Sequence, residues 1–203
     1  MKSVIAVPFA RKLSGRTNYR RRLALLKSNR PRLVVRKTLS RIILQVVNFD
    51  SLGDKVIVTA SSDSLKKLGW VHSGKNIPAA YLAGMLLGKV ALAAKISDVI
   101  PDIGLQSVTR GGKIFAALKG AKDAGLSFEV SDEVVPGSDA ISGAKIVAYA
   151  KSAKPAQFAK AGSAALTITE DFEKIKAAIS GGQWNAAAAK STAKNVNKKQ
   201  LNE

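Results

Sequence analysis

Arginine side chains dominate the first part of the chain and point to one kind of chemistry, the binding of phosphate. Nine of the ten arginines in the 203-residue sequence lie between positions 11 and 41, and no carboxylate precedes Asp50. The planar guanidinium group donates two parallel hydrogen bonds to a phosphate and stacks on bases, which an ammonium group does less well. The segment therefore predicts a polyanionic partner that is docked specifically as well as attracted by charge.

The candidate anion-binding residues are the basic side chains of this segment, with one aromatic residue among them. They are Arg11, Arg16, Tyr19, Arg20, Arg21, Arg22, Arg30, Arg32, Arg36, Lys37 and Arg41. With 33 basic and 14 acidic residues, the whole chain carries a net charge of +19, so a nucleic acid or an anionic membrane is the natural partner. Tyr19 is expected either to stack on a base or to pack with Leu23 and Leu26.

A second candidate site is the glycine-rich turn before position 113. Thr109, Arg110 and Lys113 stand there at the predicted beginning of a helix, where free N–H groups and the helix dipole favour a phosphate. The Walker pattern is not met, because Lys113 is followed by Ile114 rather than by Ser or Thr. These residues predict either an RNA phosphate contact through Thr109 and Lys113 or a plain tight turn.

Catalytic chemistry finds little support in the residue types. The chain has no cysteine and a single histidine, His72, which removes thiolate nucleophiles, disulfides and paired-histidine metal sites. His72 lies in a predicted loop, where we expect it to be solvated. The carboxylates Asp98 and Asp102 leave a magnesium-dependent nuclease as the alternative hypothesis; otherwise Asp102 is expected to bond backbone or to position a basic side chain. We expect that the protein is not an enzyme and that it uses no cofactor and no small-molecule substrate.

The elements that must position these side chains begin with a helix and three strands. Apolar periodicity predicts a helix over 15–28 with Thr17 as its N-cap. Strand composition over 32–37, 41–48 and 55–60 predicts an antiparallel meander. Alternate positions of the second strand are apolar, as is typical of a sheet with one face in the core.

Helices and shorter strands follow the meander. The sequence predicts helices over 76–96, 113–124 and 138–150 and strands over 99–105 and 127–130. Small residues recur at Ala80, Gly84 and Gly88, which would let the first of these helices lie close against a sheet. Thr167 and Glu170 fit a capping box at the start of a last helix. The fold class is α/β, a mixed β-sheet (antiparallel meander plus added strands) covered by helices, with a basic N-terminal segment and a C-terminal extension.

Composition divides the chain into four parts. They are a basic N-terminal RNA-binding segment with a helix over 1–30, a mixed α/β core domain over 31–150, a C-terminal helical extension over 151–182 and a low-complexity lysine and alanine tail over 183–203. The longest apolar stretch, 77–96, is rich in alanine and glycine and is interrupted by lysine, so we expect no membrane span. An organelle transit peptide and a membrane-surface protein remain as further alternatives for the basic segment.

Three blocks of sequence carry a resemblance to a known family. They are Arg16-Thr17-Asn18-Tyr19-Arg20-Arg21-Arg22 continuing through Arg32-Leu33-Val34-Val35-Arg36-Lys37, then Gly74-Lys75-Asn76-Ile77-Pro78, and then Asp102-Ile103-Gly104-Leu105 with Thr109, Gly111 and Lys113. In order and spacing they resemble the universal ribosomal large-subunit protein eighteen, the family that binds 5S ribosomal RNA, in its archaeal and eukaryotic-like form. The likeness spans residues 11–150.

The resemblance implies a ribosome-bound, cytoplasmic protein whose basic segment and adjoining sheet face grip 5S rRNA and help to anchor it to the large subunit. Its implied partners are 5S rRNA, large-subunit rRNA and neighbouring large-subunit proteins, with no membrane. The residues from Arg11 to Arg41 inherit the RNA-binding role, and Thr109 and Lys113 inherit it with them. The chain departs from the family pattern at Ala140 and Lys145, so no contact is carried over to the third predicted helix.

Overall fold

A computed structural model describes residues 7–152 and 165–182, and its strands form one mixed sheet. Strands β1 (Arg32–Lys37), β2 (Ile42–Asn48) and β3 (Lys55–Ser61) are antiparallel neighbours, as the meander predicts. Strand β4 (Ile100–Asp102) pairs in parallel with β1, so the order across the sheet is β3-β2-β1-β4. The α/β class with an added strand is confirmed.

Helices cover both faces of this sheet. They are α1 (Ala10–Leu13), α2 (Tyr19–Leu26), α3 (Ile77–Ala93), α4 (Lys113–Asp123), α5 (Ser138–Ser142), α6 (Ala144–Ser152) and α7 (Ile168–Ser180), with short 3-10 helices at Ser62–Leu68 and Asp132–Val134. One sheet face packs on the core helices through Leu33, Leu44 and Val46, which are fully buried. The N-terminal segment and α2 lie over the other face.

Helix α3 is the centre of the core because it is apolar on all sides. Residues from Pro78 to Gly88 are buried without interruption, as expected of a helix that has no polar face to present to water. Its start is set by Asn76, whose side chain accepts a hydrogen bond of 2.8 Å from the backbone N–H of Ala79. The predicted N-terminal boundary is therefore confirmed, with an N-cap residue followed by a proline in the first turn.

The sequence predicts that the small residues of α3 lie against the sheet, but in the structure they lie against another helix. A side chain built on Gly84 would overlap the backbone of Ala117 in α4, and one on Gly88 would overlap the side chain of Ala124. Across the same contact, a side chain on Gly120 would overlap the carbonyl of Tyr81. The expectation that these residues face the sheet is wrong, since they bring two helix backbones together.

Three other expectations of local structure are wrong in detail. The predicted strand over 127–130 consists of a single parallel bridge between Asp98 and Ser127. The predicted helix over 138–150 is two helices, because Gly143 adopts a left-handed φ of +89° and ends α5. Helix α2 begins after Asn18 rather than after Thr17, since the Asn18 side chain accepts the capping bond from Arg21 N.

The C-terminal helix α7 belongs to the same core. Its apolar face buries Ile168, Phe172 and Ile179, and the Phe172 ring packs against Tyr81 at 5.8 Å between centroids. The predicted capping bond from Thr167 to the backbone is not formed. The four-part division of the chain stays a prediction, and its tail over 183–203 lies outside the described residues. Within the described ranges no helix has the length and apolar character needed to cross a membrane.

His72 is a docking residue for α7 rather than a solvated loop residue. Its side chain is 7% exposed, and its Nε2 lies 2.8 Å from Asp171 Oδ2. The imidazole also meets the Trp70 ring edge-on at 4.9 Å. The expectation of a solvated histidine is wrong, because α7 returns from a distant part of the sequence to cover the loop.

The contact with His72 makes the docking of α7 depend on pH. The hydrogen bond from His72 lowers the pKa of the Asp171 carboxyl below its usual value. A lowered folded-state pKa adds stability above the unfolded-state pKa of about 4, and this stability is lost as pH falls through the folded value. We expect thermal unfolding between pH 6 and 3 to show a larger loss of stability for the wild type than for Asp171→Asn. Parallel curves for the two proteins would contradict this account.

Candidate nucleic-acid interface

The cationic surface is built on α2, a short helix. Its basic first turn places positive charge at the positive end of the helix dipole. The first turn holds Arg20, Arg21 and Arg22 and no acidic residue, although positive charge at a helix N-terminus is unfavourable. Asn18 supplies the N-cap, with Oδ1 accepting from Arg21 N at 3.1 Å. No residue of α2 is fully buried. The helix is therefore held in place by the bonds that its arginines make with Asp54 and Gly104.

A chain of ion pairs ties α2 to the sheet. Arg22 Nη2 donates to both oxygens of Asp54, each at 2.9 Å. Arg32 Nη2 donates to the same carboxylate at 2.6 Å, and its Nη1 donates to Asp102 at 2.9 Å. Asp54 therefore bridges the helix and β1, and Asp102 extends the chain to β4. Such charge-assisted bonds are the stronger kind, and here they fix the position of α2.

Arg32 is buried in the fold, although the sequence predicts a direct RNA contact at that position. Its side chain is 3% exposed, and its Nε is buried without a hydrogen-bond partner among the described residues. Arg32 does not present its guanidinium group to the surface in this structure. It holds Asp54 and Asp102 together, so its role is to position the surface.

Arg36 and Arg21 converge on the turn after β4. Arg36 Nη1 donates to the carbonyls of Val35 and Asp102, each at 2.9 Å. Arg21 Nη1 donates to the carbonyl of Gly104 at 3.2 Å. Gly104 has a left-handed φ of +67°, and a side chain there would press on the Arg36 guanidinium. The glycine lets the turn close over Arg36 while both arginines keep an exposed edge.

Two further predicted arginines are paired at the surface. Arg30 contacts Asp98 at 3.2 Å, and Arg41 contacts Asp63 at 2.9 Å. These pairs are exposed, so each contributes little to stability and its arginine remains accessible. No acid lies within the basic segment of the sequence, but carboxylates from positions 54 to 102 return to it in the fold.

The free guanidinium groups lie at the start of α2 and in the turn before it. The side chains of Arg16 and Arg20 form no hydrogen bond or ion pair with any described residue, and Arg11 donates from its Nε to Thr17 Oγ1 at 3.0 Å. All three are exposed. Together with Arg21 they form the arginine face, the surface that presents uncompensated charge.

Tyr19 packs, though with a different partner from the one expected. Its ring lies 5.1 Å from the ring of Phe9, which folds back from the segment before α1. Leu23 is 58% exposed on the same helix. Leu23 therefore does not pack on the sheet; α2 turns Arg21, Arg22 and Leu25 toward the sheet, while Arg20 stays exposed.

Lys37 belongs to a second cationic cluster at the start of α4. A cavity of about 240 Å³ there is lined by Lys37, Thr109 and Lys113. Burial lowers the pKa of the Lys113 ammonium, and the charges of Lys75 and Lys37 lower it further. The N-cap of α4 is Gly112, which offers no side chain to the free N–H groups. The structure thus brings these predicted residues together at the start of α4.

Lys75 also belongs to this cluster, but it was not predicted from the sequence as a site residue. It follows Gly74 in one of the family-like blocks, which is the signal that marks it in the sequence. Lys75 is far from Lys37 and Lys113 along the chain, so the sequence does not show that they converge. Only the fold places the three charges near one another.

The carboxylates of the nuclease hypothesis serve structural roles. Asp98 pairs with Arg30, and Asp102 accepts bonds from Arg32 and from the backbone N–H of Gly104 at 2.9 Å. Across residues 7–152 and 165–182 no three acidic or histidine side chains are grouped as metal ligands. The expectation that Asp102 bonds backbone and positions a basic side chain is confirmed.

Comparisons with known proteins place this chain in a family. Residues 4–100 match the family described as ribosomal large subunit proteins 60S L5 and 50S L18. The large ribosomal subunit protein uL18 of Korarchaeum cryptofilum (strain OPF8) is 41% identical over 182 residues, which is 86% of this chain and 93% of that protein. The class is therefore a structural ribosomal protein and not an enzyme. The chain belongs to the uL18 family of large-subunit ribosomal proteins, in its archaeal-like form.

Proposed function

We propose that this chain binds 5S rRNA in cytoplasmic ribosomes and helps to anchor it to large-subunit rRNA, beside neighbouring large-subunit proteins. The observation that carries the proposal is the arginine face, formed by Arg11, Arg16, Arg20 and Arg21. Arg20 and Arg21 stand on α2, which is held to the sheet by the Arg22–Asp54–Arg32 ion pairs. Arg11 lies in α1 and Arg16 in the turn between the two helices. A surface ordered before binding loses less entropy when the RNA docks.

The chemistry of the arginine face suits folded RNA. Guanidinium groups bind phosphates in pairs and stack on unpaired bases, whereas Lys37, Lys75 and Lys113 form a separate patch of point charges. Two cationic clusters on one rigid domain allow two RNA segments to be held at once. Within RNA, 5S is favoured by the likeness of the blocks around Arg20 and Gly74 to the family that binds it.

The test is the affinity for 5S rRNA of a triple charge reversal, Arg16→Glu, Arg20→Glu and Arg21→Glu. We expect binding to weaken on the order of 100-fold in a gel-shift assay at moderate salt, because phosphate contacts are replaced by repulsion. The wild type should prefer 5S rRNA to an equal mass of transfer RNA.

A matched control changes the same amount of charge elsewhere. Lys95, Lys122 and Lys145 are exposed and form no ion pair with a described residue, and they lie at or near the ends of core helices. Their reversal to Glu should weaken 5S binding far less than the arginine variant does. Equal losses for the two triple variants would reduce the effect to net charge and overturn the assignment of the surface.

A further inference from the structure

A cavity of about 320 Å³ lies between α2 and the outer face of the sheet. Its wall combines apolar side chains, among them Val34 and Val47, which are 9% and 5% exposed, with the ion-paired side chains of Arg32, Asp54 and Asp102. Its rim carries the exposed guanidinium groups of Arg11, Arg16 and Arg21. The cavity thus joins an apolar patch on the sheet to a cationic entrance, and its volume is within the size range of sites for small organic groups, which begins at about 300 Å³.

One polar side chain inside the cavity is incompletely bonded. Gln45 is half-buried on β2, and its Nε2 makes a long bond of 3.4 Å to Thr59 Oγ1. Its Oε1 has no hydrogen-bond partner in the described part of the chain. A carboxamide in this state is suited to pair with the edge of a nucleobase, which presents a donor and an acceptor side by side.

The orientation of α2 also points to a ligand in this cavity. The helix turns Arg21, Arg22 and Leu25 toward the cavity and leaves Leu23 outside. The carboxylates in the wall, Asp54 and Asp102, are already paired with Arg22 and Arg32. The rim guanidinium groups are therefore available to an anion, and the apolar wall is available to a flat ring.

We propose that the cavity receives one extruded nucleotide of the bound RNA. The base lies between Leu25 and the wall formed by Val34 and Val47, with its edge on Gln45, and its phosphate binds Arg16 and Arg21 at the rim. The inference rests on the proposed function, because the nucleotide belongs to the RNA held by the arginine face. A free phosphate would use the rim alone and leave the apolar wall and Gln45 without a role.

The first test fills the cavity from the helix side. In Leu25→Trp the indole occupies the space of the base, and we expect 5S rRNA to bind about tenfold more weakly, because the base loses the apolar burial that the cavity gives it. Leu23→Trp is the matched control, with the same change on the exposed side of the same helix. It should bind 5S rRNA as the wild type does.

The second measurement is a scan of 5S rRNA in which one base at a time is removed from its sugar. With the wild type and with Leu23→Trp, we expect one position whose loss weakens binding about tenfold. With Leu25→Trp that position should have no further effect. Gln45→Leu, which keeps the size of the side chain, should weaken binding about tenfold and abolish the same sensitivity, and it serves if Leu25→Trp does not fold.

The outcomes separate the two proposals. If wild-type protein fails to prefer 5S rRNA over transfer RNA, the proposed function is wrong and the nucleotide site falls with it. If the wild type binds 5S rRNA but no base position loses its effect in Leu25→Trp or in Gln45→Leu, the nucleotide site alone is wrong. Equal binding by Leu25→Trp, Gln45→Leu and the wild type overturns it as well.

Discussion

Gly120→Ala is expected to lower the free energy of unfolding by about 3 kcal/mol or more, the upper part of the range for overpacked cores. A methyl group at this position would overlap the carbonyl of Tyr81, in the backbone of α3. Because Gly84 is in the same contact, with Ala117 opposite, the two helices have no small side chain left to give way. They must move apart, and the core around them loses contact.

The same substitution also raises the helix propensity of the position, and this makes the test sharper. Alanine is better than glycine inside a helix by about 1 kcal/mol, so a loss of stability reflects the tertiary contact. Gly137→Ala is the control, since a methyl group there meets nothing within 4 Å. We expect that variant to change stability by less than about 1 kcal/mol. Urea unfolding followed by circular dichroism measures both, and equal midpoints for the two variants would contradict a close helix contact.

Arg32→Ala is expected to cost about 3–5 kcal/mol of stability, the range for removing one partner of a buried ion pair. The variant leaves Asp102 buried with only the backbone N–H of Gly104 and a longer contact of 3.6 Å to Arg36. It also removes one of the two arginines that hold Asp54. The link between α2 and the sheet therefore weakens together with the core.

Arg30→Ala provides the comparison for Arg32. Its pair with Asp98 is about half exposed on both sides, so its loss should cost no more than about 1 kcal/mol. Thermal unfolding of the two variants separates a buried structural arginine from a surface one. A variant Arg32→Ala that unfolds like Arg30→Ala, yet binds RNA poorly, would restore the direct RNA contact predicted from the sequence.

Much of the sheet was predictable because its signals are local. In β2 the residues Ile42, Leu44 and Val46 alternate with Ile43, Gln45 and Val47 and so share one face, and the structure buries all three. Asn76 and the proline that follows mark the start of α3 for the same reason, since an N-cap acts on the first turn of its own helix. Strand β4 is much shorter than predicted, as it pairs with β1 over three residues.

The orientation of α2 was not predictable from its apolar spacing. Tyr19 and Leu23 recur at helical spacing, which favours them as the packing face. In the structure Asp54 and Gly104 bond to Arg22 and Arg21 instead, so that the arginine side faces the sheet. These partners are 32 and 83 residues away along the chain, and no local pattern indicates them.

The sequence by itself determined the family of the protein and the sign of the charge on its partner. Thirteen basic residues before any acid already indicate a polyanion as partner, because the charge of these side chains is set by the composition. The tertiary structure decided which cations are free to meet that polyanion. It buries Arg32, pairs Arg22 with Asp54 and leaves Arg16 and Arg20 without an ion pair among the described residues, since pairing depends on distances that only the fold creates.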